Sequence, residues 1–277
     1  MDAVIGLGNA GCNIVDEFAK YPQYKTYKID VGIEKTKTSF PLEKQKKVED
    51  YESKLPSLKY FFRGLRGEIL FVVGGGGKVS SASLAILKHL KNKCKINVLY
   101  IRPSLGLLSE QQSQLQRMAF GVFQEYARSG VFERLYVVSN EEIEYMLGGI
   151  SIKNYYNKIN EIIVSTLHMI NVYKNNKSLT NTYGDLPLGA RITTFGMYDE
   201  KENEDKMFFS LDNVSDVVYY YAYNKDRLET DSNLMADIKR NIEQNKSENI
   251  RAMYGIYETD YEQDYVYCLH HTSEIQQ

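Results

Sequence analysis

Two glycine-rich turns, each placed just after an apolar strand, are the residues best suited to chemistry. The first reads Gly6-Leu7-Gly8-Asn9-Ala10-Gly11-Cys12-Asn13 and follows Ala3-Val4-Ile5. The second reads Gly74-Gly75-Gly76-Gly77-Lys78 and follows Ile69-Leu70-Phe71-Val72-Val73. Glycine lets backbone N–H groups crowd against an anion with no Cβ in the way. The start of the helix that follows adds a partial positive charge. Two such turns in one α/β domain suggest a nucleotide whose phosphates are held by backbone from two sides. Lys78 can meet phosphate as a point charge, against the plainer reading of a solvated loop lysine. A Walker loop is excluded, because Val79 follows where Ser or Thr is required and the glycines are not at its spacing.

The first turn also fits the dinucleotide pattern Gly6-x-Gly8-x-x-Gly11. Asp30 lies 19 residues beyond Gly11, where a ribose-binding acid sits in an NAD enzyme. An NAD(P)-dependent oxidoreductase with an N-terminal Rossmann domain is therefore the alternative reading. Against it stand the second glycine turn, which a dinucleotide fold does not need, and the want of a convincing His or Cys for hydride or acyl chemistry. Cys12 sits inside the first turn, either as a functional group or as a small residue filling a tight bend.

The elements that must position these turns alternate. Short strands are expected at 2–6, 27–30, 69–73, 96–101 and 135–138. Helices are expected at 9–20, 80–92 and 109–129, the last with Leu115, Met118, Ala119, Val122 and Phe123 inward and a stop at Gly130. Residues 32–57 are polar and read as one irregular helix. A long helix spans 152–173, where Ile152, Tyr156, Ile159, Ile163, Leu167 and Ile170 recur every three or four residues; it would run about 33 Å, across a whole domain. This alternation demands a parallel, doubly wound sheet. Residues 174–189 read as linker. Beyond them, strands at 191–198, 216–223, 251–258 and 265–270 and one helix at 231–244 make a smaller α+β domain. The domain division is thus 1–173, including the long helix, and 190–277. Tyrosines cluster in this last third, as in Tyr219-Tyr220-Tyr221, and read as strand with half-buried surface. The long helix is expected to pack on both domains.

A chain of 277 residues with 43% apolar residues has core enough to fold without metal or disulfides. The net charge of −2 gives no electrostatic reason to expect nucleic acid as a partner. Cys12, Cys94 and Cys268, and His89, His168, His270 and His271, show no ligand spacing, so no metal site is assigned. The adjacent His270 and His271 fall on a strand and point to opposite faces. Apolar runs of five or six residues are far below the roughly 20 needed to span a bilayer. No signal peptide is visible at an N-terminus that opens straight into a βα unit. A soluble, cytoplasmic protein is expected.

The order of the parts resembles the tubulin/FtsZ family of polymer-forming GTPases. Gly6 to Asn13 is similar to its first phosphate loop, with Asn13 where FtsZ has a base-contacting Asn. Ile29-Asp30 resembles the Asn-Thr-Asp loop, and Gly74-Gly75-Gly76 the start of the GGGTGTG signature. Arg102-Pro103 resembles a Lys-Pro loop, Arg117-Met118-Ala119-Phe120 the RMAF run, and Ser139-Asn140 a Pro-Asn. The sharpest match is Gly149-Ile150-Ser151-Ile152-x-x-x-Tyr156-x-x-x-Asn160. In FtsZ an aromatic there stacks on guanine and an Asn reads the base edge. Such a pair suits base recognition, the ring for stacking and the amide for a planar edge; the competing reading of Tyr156 is core packing.

The resemblance implies a guanine nucleotide, GTP or GDP, with Mg²⁺ as a candidate companion, and head-to-tail self-assembly into filaments. It implies binding through Gly6, Gly8, Asn9, Gly11, Cys12, Asn13, Asp30, Gly74, Gly75, Gly76, Gly77, Lys78, Asn140, Tyr156 and Asn160. The chain departs from the pattern at Gly77-Lys78-Val79-Ser80, where the signature breaks and only Ser80 or Ser81 offers a hydroxyl. No clear glycine-rich loop lies between Asp30 and Gly74. The family completes its hydrolytic site in trans with an NxDxxD loop. Here Asn181 falls on the Asn, Tyr183 and Leu186 fall on the acids, and one deletion brings in Asp185. Asp185 is thus the catalytic candidate, with a turn-forming Asp beside Gly184 the competing reading. Weak or absent hydrolysis is expected.

Overall fold

The computed structural model describes residues 1–245 and 249–277. The first half lays down β1 (Ala3–Leu7), α1 (Gly8–Phe18), β2 (Lys25–Val31), β3 (Ser39–Leu42), α2 (Asp50–Ser53), β4 (Gly67–Gly74), α3 (Ser83–Lys88), β5 (Cys94–Arg102), α4 (Glu110–Arg128) and β6 (Arg134–Ser139). Its six strands are parallel, in the order β3-β2-β1-β4-β5-β6. The central runs are apolar throughout because the sheet is covered on both faces. Ile5, Leu7, Phe71 and Val98 pack on one side with Phe120 and Phe123. Val4, Leu70, Val72 and Leu99 pack on the other with Ile14, Val15 and Phe18.

The second half continues with α5 (Asn140–Met146), α6 (Tyr155–Asn175), β7 (Thr180–Asn181), β8 (Ile192–Asp199), β9 (Glu204–Met207), β10 (Asp216–Asn224), α7 (Lys225–Thr230), α8 (Leu234–Asn245), β11 (Arg251–Thr259) and β12 (Tyr265–Thr272). The sheet does not break between the halves. β8 lies parallel to β6 where Leu135 faces Ile192 and Tyr136 faces Thr193. Past that seam the ladders β8–β12 and β12–β10 are antiparallel, and β10–β11 is parallel. A parallel α/β half thus grades into a mixed one.

α6 packs on both halves. Ile159, Ile163, Val164 and Leu167 are buried with Ile14 and Phe18 of α1. Near its other end, Tyr173 meets Tyr257 at 4.8 Å and Tyr267 at 5.9 Å between ring centroids. Each fully buried aliphatic side chain contributes about 1.5–3 kcal/mol. The helix proper begins at Tyr155, after a 3₁₀ turn at Ile152–Asn154. Ile152, expected to face inward, is 95% exposed.

Other expectations are corrected. Residues 32–57 hold the edge strand β3 and the single turn α2 rather than one irregular helix. The helix expected at 80–92 is a 3₁₀ turn, Lys78–Ala82, leading into the shorter α3. α4 is rotated from its expected face: Met118 is 69% exposed and Val122 is exposed, whereas Gln116, Phe120, Phe123, Gln124 and Ala127 are buried. Gln124 can go inward because it is satisfied on both side-chain atoms: its Nε2 donates to Gln276 O at 3.0 Å, and its Oε1 accepts from Gln276 N at 2.7 Å. The tyrosines of β10 are core, not half-buried surface. Tyr219, Tyr221 and Tyr223 are fully buried on the α8 side, and Tyr220 packs toward α6. His270 and His271 do point to opposite faces, to Asp205 and to Thr193 respectively.

Candidate functional site

Strand register gathers the candidate loops at one edge. Ile29, Leu7, Val73, Tyr100 and Val137 form one row across β2, β1, β4, β5 and β6. Asp30, Gly8, Gly74, Arg102 and Asn140 therefore all leave the sheet at its carboxyl edge, where open α/β sheets bind ligands.

The two glycine turns touch. A Cβ on Gly74 would lie 3.0 Å from the Ala10 Cβ, and one on Gly8 would lie 3.8 Å from the Val79 Cβ. Within the first turn the glycines are sterically required. A Cβ on Gly6 would sit 2.2 Å from Gly11 O, and one on Gly11 would sit 2.5 Å from Val72 O. Gly8 and Gly76 take φ of +70° and +76°, which side-chain-bearing residues rarely adopt.

What these turns leave open distinguishes them from the starts of α4 and α5. α4 starts with a full capping box, Ser109 with Gln112, and α5 starts with Ser139 accepting from Glu142 N. Both carry acids in the first turn. α1 and the 3₁₀ turn at Lys78–Ala82 have neither a side-chain cap nor an acidic first turn. Their leading N–H groups and positive ends therefore face outward with no internal anion. In the second turn Gly75 N donates to Ile101 O at 2.9 Å, while Gly76 N and Gly77 N find no acceptor among the described residues. Lys78 is exposed and makes no ion pair among them. The hydroxyls of Ser80 and Ser81 are used internally, on Gly74 O at 2.7 Å and on Val48 O at 2.8 Å.

Around the turns stand polar groups with no partner. The side-chain amides of Asn9, Asn13, Asn140 and Asn160 make no hydrogen bond among the described residues. α6 starts at the same edge: the Tyr155 hydroxyl donates to Glu144 Oε2 at 2.7 Å and also bonds Ser104, just past β5. From there it runs to the opposite edge, where His168 meets the Tyr24 hydroxyl at 2.9 Å just before β2. Tyr156 and Asn160 thus lie in its first turns. Tyr156 is 61% exposed, so its core-packing reading fails. Asn160 is half-buried. Cys12 is buried against Gly6 O and Ile29 O, and its thiol is pushed up to about 12, by burial first and by Asp30 next. It is a space-filling thiol rather than a nucleophile. Asp30 is half-buried, accepts from Val31 N at 2.7 Å, and is raised by desolvation.

Asp185 does not join this group. Its carbonyl accepts from Arg251 Nη2 at 2.7 Å. Arg251 pairs with Asp216, which starts β10 in register with His271. The His271 ring lies 3.4 Å from Arg134, the first residue of β6. Asp185 therefore lies toward the amino edge of the parallel strands, opposite the glycine turns. Its loop is pinned by β7 on β11 and by Tyr183, whose ring fills the space a Cβ on Gly255 would need. The Tyr183 and Tyr257 hydroxyls meet at 3.0 Å. The signal that sequence reading passed over was capping: Ser109-x-x-Gln112 marks a self-satisfied helix start, and its want at Gly8 marks an open one.

No protein-family model matches this chain, and no curated protein matches it. Solved structures do. A GTPγS-form protofilament of TubZ from Bacillus thuringiensis serovar israelensis superposes with a TM-score of 0.75 at 17% identity, over 97% of this chain and 86% of that one. An FtsZ dimer from M. jannaschii gives 0.70 at 11%, over 98% and 88%. CetZ from Methanosaeta thermophila gives 0.70 at 13%, over 98% and 86%. The chain has the tubulin/FtsZ fold over nearly its whole length. No helix among the described residues is long and apolar enough to cross a membrane.

Proposed function

We propose that this chain is a divergent cytoskeletal protein that binds guanine nucleotide between its glycine turns and assembles head to tail into filaments. The observation that carries this reading is the pair of uncapped, acid-free helix starts lying side by side at the carboxyl edge, ringed by four unpaired asparagine amides. An anionic ligand with a polar planar base satisfies that whole set at once.

The residues fit the group. Backbone of Gly6, Gly8, Asn9, Gly11 and of Gly74, Gly75, Gly76 and Gly77 would face phosphate, with Lys78 adding a point charge. Cys12 and Asn13 line the first turn, and Asp30 and Asn140 flank the row. Tyr156 offers a stacking face, and Asn13 and Asn160 offer amides to a base edge. A bound nucleoside triphosphate would supply the cleavable phosphoanhydride and, with Mg²⁺, its own counter-charge. The chain's part is to hold and orient it.

Asp185 lies at the far end from these turns, so it can reach a nucleotide only from the next subunit. Tyr183 and Leu186 stand where acids would and are tied into the body, so hydrolysis is slow and filaments do not depend on it. TubZ protofilaments, TubZ helical filaments and an FtsZ dimer among the structural neighbours support the assembly reading. They lend nothing to the oxidoreductase alternative. The domain division at 1–173 and 190–277 and the cytoplasmic location belong to the same proposal.

The test is sedimentation and negative-stain microscopy with GTP, GDP, a non-hydrolysable analogue, NAD and no nucleotide. Filaments that require guanine nucleotide are expected, with turnover per molecule rising with protein concentration and lost in Asp185→Ala, which still binds. Preference for NAD, or no GTP or GDP binding at millimolar concentration, overturns the reading.

A further inference from the structure

A second cluster of chemistry-bearing side chains, outside the glycine turns, lies on β9 and β12, the strands that pair with β8. Asp205, Cys268 and His270 place a carboxylate oxygen, a sulfur and an imidazole nitrogen within 4.8 Å of one another. Met207 brings a fourth donor, its Sδ 3.3 Å from Cys268 Sγ. The backbone explains why four donors converge. Met207, Gly196 and Cys268 are register partners across β9, β8 and β12. A Cβ on Gly196 would lie 2.2 Å from Lys206 O, so the middle strand carries no side chain there. The backbone of β9 closes onto that position, with Met207 Cα 2.8 Å from where the Cβ would sit. Cys268 and His270, two apart on β12, share that face.

An ordinary ion pair accounts for only part of this. His270 Nε2 meets Asp205 Oδ2 at 2.8 Å, and the Tyr219 hydroxyl donates to the same oxygen at 2.8 Å. Asp205 Oδ1 is buried and has no partner among the described residues. The carboxylate is thus oversupplied on one oxygen and orphaned on the other, next to a fully buried thiol. A half-satisfied carboxylate against a thiol and a thioether is a poor arrangement in itself and a good one around a cation.

We propose that Asp205, Cys268 and His270, with Met207 as the fourth donor, bind one borderline-soft dication of the zinc class. Mixed S, N and O donors suit zinc, and thiolate with thioether disfavours magnesium and calcium. Tetrahedral bonds of about 2.0–2.3 Å put ligand atoms roughly 3.5 Å apart. The donors reach that spacing by parting His270 from Asp205 and drawing the rest inward. The Cys268 thiol gives its proton to solvent as the Zn–S bond forms. Tyr219 becomes the positioning residue, holding the carboxylate from outside. Asp205, Met207 and His270 line a cavity of about 970 Å³, together with four glutamates and the cations Arg102 and Lys206, so the site is open to solvent metal. The metal would clip the short strand β9 to β12. Sequence spacing hid the site, because its donors lie about 60 residues apart. The proposal is independent of the nucleotide reading.

The test uses the untagged, chelator-stripped full chain without nucleotide. Zn²⁺ titration by calorimetry should show uptake of one equivalent, with a heat that tracks buffer ionisation because a proton is released. Co²⁺ should give a thiolate-to-cobalt charge-transfer band. His270→Gln and Cys268→Ala should abolish both, Tyr219→Phe should weaken binding by about tenfold, and Cys94→Ser should leave it unchanged. Zn²⁺ should also raise the melting temperature of the parent chain but not of His270→Gln. Should Cys268→Ala not fold, His270→Gln and the cobalt band carry the test. No saturable uptake at micromolar metal, uptake that survives His270→Gln, or a cobalt spectrum without the thiolate band overturns the proposal.

Discussion

The carboxyl edge of the parallel strands and the tyrosine-rich core of the second half treat polar groups in opposite ways. At the edge, α1 and the 3₁₀ turn at Lys78–Ala82 start uncapped, and the amides of Asn9, Asn13, Asn140 and Asn160 find no partner among the described residues. In the second half, three β10 tyrosine hydroxyls are matched: Tyr219 to Asp205, Tyr221 to Asn241 and Tyr223 to Glu200. A buried polar group without a partner costs about 1–3 kcal/mol, so these matches secure the tyrosine core, although Asp205 Oδ1, Thr194 Oγ1 and Thr259 Oγ1 stay buried without a partner among the described residues. The edge sits where water can serve until a ligand replaces it. The difference teaches where a nucleotide is to be sought, since the open groups gather at one edge while the matched tyrosines serve the core.

Substitutions can break this contrast. The largest effect is expected in the closed region. Tyr223→Ala removes a fully buried ring, its bond to Glu200 and its stack under Arg227 at 4.6 Å. It should cost about 3–5 kcal/mol in urea unfolding, while the protein that remains folded binds nucleotide as before. In the open region the outcome should invert. Asn160→Ala should lower guanine-nucleotide affinity by about 1–3 kcal/mol in calorimetry and leave unfolding within about 0.5 kcal/mol. Equal effects of Asn160→Ala on both measurements would mean that the amide is structural.

A pH series sharpens the contrast further. Burial lowers the pKa of His168, and burial together with Arg134 lowers that of His271 far below the ordinary value. Both stay neutral in the fold and gain protons on unfolding, so the unfolded state binds more protons. Stability is then fully present above the unfolded pKa of about 6.5 and is lost as pH falls below it, by about 1.4 kcal/mol per pH unit for each proton. Unfolding curves at about pH 7 and about pH 5 should show this loss, and His271→Asn should reduce it by one proton's share. The smallest effect belongs to the exposed Asp185, whose carbonyl and not its carboxylate is engaged. Asp185→Ala should shift unfolding by less than about 0.5 kcal/mol, and a larger shift would return it to the turn-forming role.

The parallel strands were legible because each is an apolar run too short to be a helix, and the first turn because Gly6, Gly8 and Gly11 answer local contacts. The face of α4 was not, since burying Gln124 depends on Gln276, 152 residues away. Met118 and Val122 look like core until that clamp is seen. β3, β7 and β9 were missed because strands of two to four residues take their definition from the neighbour they pair with. Of the candidate site, the backbone part could be read from glycine spacing. Asn9, Asn13, Asn140 and Asn160 were named through the family resemblance, but that their amides stay unpaired among the described residues could not be read, because that is a fact about their surroundings.

The ends of the sheet carry a consequence of their own. Its edges are β3, four residues with Pro41 among them; β7, two residues; and β9, four residues with Glu204, Asp205 and Lys206. Such stubs give a second chain almost no ladder to extend, and proline and charge discourage it further. A protein crowded against copies of itself runs the hazard of irreversible β-stacking, and here the hazard is removed at the three places where it could begin. In the proposed filament, contact between copies would fall to loops and helix ends, which can let go.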